Sequence, residues 1–220
     1  MTRDIAKYQR FNSLDYRVFQ ADTVLDYLSE KVFPDLEKVI VYGHSEGAPV
    51  AAKLATVNEK ITHVGFWAGN ALPDIYDFMV MSSNAIDRGR ITHEEGYEYI
   101  LENIADFEDI AQNQDDTSYE DEEDYTNKRW WSYAEPPINH LLEIEVPLFV
   151  QVGGKDRSAP AESTFLIPLE FTRLGKDNLT YKICVECDHY FYVEDEKGKS
   201  EDKWEEIFLE FIDWTNGSPR

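Results

Sequence analysis

Apolar residues recur at steps of three, one and four through Val18, Ala21, Val24, Leu25, Leu28 and Val32, a spacing that predicts an amphipathic helix closed by Pro34 and Asp35. A short run rich in β-branched residues, Val39-Ile40-Val41-Tyr42, then meets Gly43 and an alanine-rich stretch through Ala48, Ala51, Ala52, Leu54 and Ala55. This pattern predicts a buried strand, a sharp turn and a helix. Further strands are expected over Ile61 to Ala68, Pro147 to Val152 and Leu179 to Val185. A helix over about Glu162 to Leu174 separates the last two, with Gly175 where a C-terminal cap belongs. Trp204, Ile207, Phe208, Phe211 and Ile212 make the one-sided stripe of a final helix. Strands alternating with helices predict an α/β fold: a parallel sheet with helices on both faces.

The interval from Leu72 to Glu145 departs from this rhythm. Thr92 and Glu95 form a capping-box pattern ahead of a helix carrying Tyr97, Ile100, Leu101, Ile104 and Phe107. The run from Asp115 to Asp124 is too acidic to pack and is expected to stand in solvent. The expected organisation is therefore residues 1–71 as the first part of the core, 72–145 as an inserted, mostly helical segment with an acidic tip, and 146–220 as the rest of the core.

Composition narrows the partners. The 220 residues fit one domain, and the formal net charge of -23 would repel phosphate backbones and anionic lipid, so neither nucleic acid nor a membrane surface is an expected partner. With 42% hydrophobic and 14% aromatic residues there is apolar surface enough to fold despite that charge. There is no run of 18 apolar residues and no apolar signal core at the start, and the expectation is a cytoplasmic protein. Cys184 and Cys187 have the spacing of redox or zinc pairs, but no second pair completes a zinc site. On a regular strand residues three apart face opposite sides, so both are expected to be free, structural cysteines, and no metal is implied.

Gly43-His44-Ser45-Glu46-Gly47 is the informative motif. A Gly-x-Ser-x-Gly pattern arises by chance in about one chain of this length in fifteen. Here an apolar strand precedes it and an alanine-rich helix follows, the context in which glycine flanks let a serine occupy a strained turn with its hydroxyl above the sheet. The first helical turn behind it offers unpaired N–H groups and a positive dipole end to a developing oxyanion.

Such a serine needs a base, and the base needs an acid. Of five histidines, His44 is expected to point away from the serine, His63 lies in a strand, and His93 and His140 fall in the insertion as surface residues. His189 follows the C-terminal end of the fourth strand, where functional groups collect in open parallel sheets, and is the expected base. Asp156, in the loop leaving the third strand, is the expected acid. Asp188 is its rival, although adjacency to His189 makes the required contact awkward. The order Ser45, Asp156, His189 suits an α/β-hydrolase-type site.

These residues resemble the α/β-hydrolases, specifically the serine esterase and aminopeptidase-like group, over about residue 18 to the C-terminus. The resemblance implies Ser45 as nucleophile, His189 as base, Asp156 as acid and the Glu46 N–H as one oxyanion-hole donor. It also implies that 72–145 is a variable lid, with Trp130 and Trp131 either a substrate wall or ordinary lid packing, and that no cofactor is needed. The implied function is hydrolysis of a carboxylic ester or related small-molecule acyl substrate through an acyl-enzyme. A peptidase or thioesterase with the same three residues is the nearest alternative, and a catalytically weak binding module is the alternative of another class. Members of the group carry further strands before the nucleophile strand, and a loop among them supplies the second oxyanion donor; the segment before Val39 shows neither. The expected fold is thus N-terminally shortened, with the edge at Val39 to Tyr42 either covered by residues 1–17 or used for self-association.

Overall fold

The computed structural model describes residues 4–119 and 124–217. Two helices open the chain: α1 (Ile5–Phe11), capped by Asp4, and α2 (Leu14–Tyr27), capped by Ser13. A wider π turn, Leu28–Val32, follows α2 and carries the chain toward Pro34. The nucleus of the fold comes next, as β1 (Ile40–His44), α3 (Gly47–Val57) and β2 (His63–Trp67).

Four helices separate β2 from the next strand: α4 (Asp74–Asp87), α5 (His93–Gln112), α6 (Asn127–Ser132) and α7 (Pro137–Glu143). The predicted capping box opens α5, with Thr92 and Glu95 exchanging hydrogen bonds. Of the apolar residues expected on α5, Ile100 and Phe107 are half-buried on the face shared with Gly96, Asn103 and Ile110, and Phe107 packs on Trp131. Tyr97, Leu101 and Ile104 are exposed, and Gly96 brings the Ile86 side chain of α4 within 2.3 Å of where a Cβ would stand. Asp115 and Asp116 are exposed, and residues 120–123 of the acidic run lie outside the described residues.

The chain then runs through β3 (Leu148–Gly153), a 3₁₀ turn at Ala161–Thr164, α8 (Leu166–Leu174), β4 (Leu179–Cys184), β5 (Tyr192–Glu194), β6 (Ser200–Asp202) and α9 (Trp204–Thr215). Gly175 ends α8 in the left-handed conformation the sequence predicts. The antiparallel β5–β6 hairpin has no counterpart in the sequence reading.

The main sheet is parallel throughout, in the order β1-β2-β3-β4. Alternate residues of its inner strands serve opposite faces. Val64, Phe66, Leu148 and Val150 pack with Ala48, Leu141 and Ile167, from α3, α7 and α8. Trp67 and Phe149 pack with Ile207 and Phe211 of α9 and with Phe191.

β1 pairs with β2 alone, so it is an edge strand among the described residues. Residues 4–17 do not cover that edge, contrary to one of the two expected arrangements. They pack toward the segment before α7 instead: Gln9 Nε2 donates to the Asp124 carbonyl at 2.7 Å, Lys128 Nζ to the Arg10 carbonyl at 3.1 Å, and the Leu14 N–H to Ser132 Oγ at 3.0 Å. An open groove of about 800 Å³ runs between α2, β1 and α3. Val24 and Leu28 of the predicted helical stripe are accordingly exposed.

Candidate active site

The site is assembled at the C-terminal ends of β1, β3 and β4. Ser45 follows β1 and takes φ of 55°, a left-handed conformation that a residue with a side chain adopts rarely and usually at functional turns. Neighbours fix that conformation: the Ser45 N–H donates to the Trp67 carbonyl, and the Ser45 carbonyl accepts from the Ala48 N–H, both at 2.9 Å. The two motif glycines differ in role. A Cβ at Gly43 would lie 1.8 Å from the Gly47 carbonyl oxygen, so strand and helix can approach this closely only with glycine at 43. Gly47 has open space where its Cβ would stand, so no collision explains glycine there, contrary to expectation.

His189 follows β4 and is buried, as is Asp156 after β3. His189 Nε2 lies 2.9 Å from Ser45 Oγ, and its Nδ1 lies 2.8 Å from Asp156 Oδ2. An ionised carboxylate can only accept, so Nδ1 carries the proton donated to Asp156 and Nε2 is left to accept from the serine hydroxyl. The other oxygen of Asp156 accepts the Ser158 and Ala159 N–H groups at 2.8 and 2.9 Å. One carboxylate therefore both caps its own loop and orients the imidazole. Asp188 Oδ1 is committed locally, to the Tyr190 and Tyr192 N–H groups.

Three other histidines differ in role. His44 does turn from Ser45, and its Nε2 meets the His189 carbonyl at 2.8 Å, so it braces the backbone of that residue. Burial lowers the pKa of His44 and outweighs the opposing bond to the His189 carbonyl, favouring a neutral ring there. His140 is buried and faces Glu135 at 3.1 Å, not at the surface as expected. His93 is exposed.

No protein-family model matches the chain, and no curated protein matches it in sequence. Among solved structures it is similar to a thermostable carboxyl esterase from Bacillus coagulans in complex with glycerol, at 14% identity and a TM-score of 0.58 over 93% of this chain and 72% of that one. It is also similar to the Paleococcus ferrophilus monoacylglycerol lipase, at 16% identity and a TM-score of 0.54 over 93% and 75% of the two chains. The fold is α/β-hydrolase-like. A third similar structure, a Pyrococcus furiosus esterase (16% identity, TM-score 0.45, 76% of this chain), is much longer, and the chain spans 51% of it.

Within this α/β-hydrolase-like fold, Ser45 and His189 open on a cavity of about 210 Å³. Its apolar wall comes from Phe78 and Met81 of α4 and from Tyr125 and Trp130. Of the tryptophan pair only Trp130 lines the cavity; Trp131 packs on Phe107 with ring centroids 6.0 Å apart.

The polar wall is what the sequence reading did not find. Arg129 is buried, with its guanidinium 4.0 Å from the Tyr133 ring centroid and 4.3 Å from that of Tyr125. It pairs with Asp74 Oδ2 at 3.1 Å and Glu46 Oε1 at 3.4 Å, and Arg17 holds the same Glu46 oxygen at 3.0 Å. Asp77, one helical turn beyond Asp74, is also buried, and its Oδ2 accepts from Asn70 Nδ2 at 3.0 Å. Burial is the main cause that pushes its pKa up to about 7; repulsion from Asp74 and Asp156 adds to this, and Asn70 and Ser163 partly offset it. Two acids in the first turn of a helix read in sequence as dipole partners, so their presence in a cavity had no sequence signal.

Cys184 and Cys187 form a disulfide, which overturns the reading of both as free. The strand ends at Cys184 and turns, so strand geometry no longer separates residues three apart. The Lys155 N–H donates to the Cys187 carbonyl at 2.8 Å and the Gly154 N–H to the Cys184 carbonyl at 2.8 Å. These bonds tie the loop bearing Asp156 to the loop bearing His189. Among the described residues no His, Cys, Asp and Glu cluster suits a metal ion, and no helix is long and apolar enough to cross a membrane.

Proposed function

We propose that the protein is a serine hydrolase that cleaves a carboxylic ester or a related acyl substrate. The observation that carries this reading is His189 placed between Ser45 Oγ and Asp156 Oδ2 within hydrogen-bond reach of both, beside a cavity. In this reading Ser45 Oγ attacks the acyl carbon while His189 Nε2 takes its proton. Asp156 keeps the imidazole in the required tautomer and stabilises the imidazolium. His189 returns the proton to the leaving oxygen, and a water, activated by the same nitrogen, releases the acid from Ser45. The Glu46 N–H, at the opening of α3, is the oxyanion donor we assign. The helices between β2 and β3 act as the lid, since α4 and Trp130 of α6 wall the cavity.

A thioester or peptide leaving group would use the same machinery. A weakly active binding module is the second reading, favoured by the assignment of one oxyanion donor only; absence of one donor typically costs about a hundred- to thousand-fold in rate. Labelling with a fluorophosphonate probe tests the main reading: wild type should be labelled and Ser45→Ala should not. Labelling that survives Ser45→Ala would place the nucleophile elsewhere.

A further inference from the structure

Asp77 is the one cavity carboxyl without a cation. Arg129 is engaged by Asp74 and Glu46, and among the described residues no lysine, arginine or histidine pairs with Asp77. The residue is 5% exposed and lines the same cavity as Ser45 and His189. The groups that favour its charged form, Asn70 and the Ser163 hydroxyl, are both neutral, and no cation among the described residues does so. A buried carboxylate without a cation is costly, and a cationic ligand in the cavity would offset that cost.

The surroundings specify what would complete it. Glu46, Asp74 and Asp77 give the lining three carboxyls against the single guanidinium of Arg129. The net charge of -23 draws cations toward the protein as a whole. Resting on the hydrolase reading above, we infer that the substrate carries a protonated amine, and that the Asp77 carboxylate receives it while Ser45 attacks the acyl carbon. Asp77 is then a specificity-determining residue. Without the amine its environment favours the protonated acid, chiefly because the group is buried; repulsion from Asp74 and Asp156 adds to this, and Asn70 and Ser163 only partly offset it. An arriving ammonium supplies the missing opposite charge, and the carboxyl proton leaves to solvent.

Two isosteric pairs test this. In 4-nitrophenyl 3-aminopropanoate against 4-nitrophenyl butyrate the ammonium replaces a methyl group on the acyl side; in 2-aminoethyl acetate against propyl acetate it does so on the alcohol side. In each, the acyl–oxygen bond breaks, water gives its hydroxyl to the acid, and its remaining proton ends on the alcohol or in solution. The expected result is a preference of about tenfold or more in kcat/KM for the ammonium member of at least one pair, abolished in Asp77→Asn. 4-Nitrophenyl 3-hydroxypropanoate serves as the neutral control, and an equal preference for it would overturn the assignment to a cation.

A readout independent of turnover is the ¹³C carboxyl titration of Asp77 in Ser45→Ala. Propylammonium should lower its midpoint and 1-propanol should not. A lowered midpoint in a protein that hydrolyses no ester would overturn the hydrolase reading and leave the ammonium site standing. An unmoved midpoint, or ester hydrolysis with no ammonium preference in either pair, would overturn the site.

Discussion

Gly153 and Asp188 touch where the loops bearing the acid and the histidine cross: a Cβ on Gly153 would stand 2.3 Å from the Asp188 carbonyl oxygen. The obstacle is backbone, held by the disulfide-closed turn at Cys184 and Cys187, so it cannot swing aside as a side chain would. Gly153→Ala must therefore push the His189 loop away from Asp156. Overpacking of this kind costs about 1–3 kcal/mol, which thermal or urea unfolding would register. If Ser45, His189 and Asp156 act together, kcat should fall on the order of a hundredfold with KM little changed, because the cavity wall is elsewhere.

Asp156 and Asp188 are separable by the same substitution. Asp156→Asn keeps the oxygen that caps Ser158 and Ala159 but presents a neutral group to His189. If Asp156 is the orienting acid, a fall of about ten thousand-fold in kcat is expected, as when the aspartate of a Ser-His-Asp triad is neutralised. Asp188→Asn retains the oxygen that accepts from Tyr190 and Tyr192, and its kcat should stay within about tenfold of wild type. Steady-state kinetics of the two variants decide the matter, and the reverse ranking would give the role to Asp188.

Stability should carry the signature of Asp77. Its folded pKa of about 7 lies above the ordinary value of 3.8, so between those limits the unfolded chain releases a proton that the folded chain keeps. Its contribution to stability is fully present below about pH 4 and is lost as the pH rises to about 7. The loss is on the order of 4 kcal/mol relative to Asp77→Asn, whose amide does not titrate. Urea unfolding of the two proteins across that range should show the wild type weakening more steeply, and parallel curves would contradict the raised pKa.

Arg129 anchors the polar wall, and its removal should be felt in folding first. Arg129→Ala deletes the guanidinium packed on Tyr133 and Tyr125 and leaves Asp74 and Glu46 facing each other across the cavity. Breaking a buried pair typically costs about 3–5 kcal/mol. Both carboxylates reach solvent and Arg17 still holds Glu46, so the lower end of that range is expected. A change below about 1 kcal/mol in equilibrium unfolding would show that the pairing contributes little.

Local rules made the sheet legible in the sequence. Val39 to Tyr42, Ile61 to Ala68, Pro147 to Val152 and Leu179 to Val185 each overlap an observed strand within a few residues, because apolar β-branched runs bounded by turn residues have few other solutions. Gly175 at the end of α8 and the box at Thr92 were equally local. Ser45, Asp156 and His189 could be singled out for the same reason, since a parallel sheet collects the residues following its strands at one end. Whatever depends on segments distant in sequence was decided by the tertiary structure. Which apolar residues of α5 are covered depended on its neighbours, with Phe107 half-buried against Trp131 and Leu101 exposed, and strand geometry kept Cys184 and Cys187 apart until the chain turned between them. Residues 4–17 look free to cover β1, yet their hydrogen bonds go to Asp124, Lys128 and Ser132, more than a hundred residues on. The cavity beside Ser45 likewise draws Asp77 from α4, Arg129 from α6 and Glu46 from the opening of α3. The charge of each is written in the sequence, but which charges meet, and which carboxyl is left without a cation among the described residues, is fixed only when the helices pack.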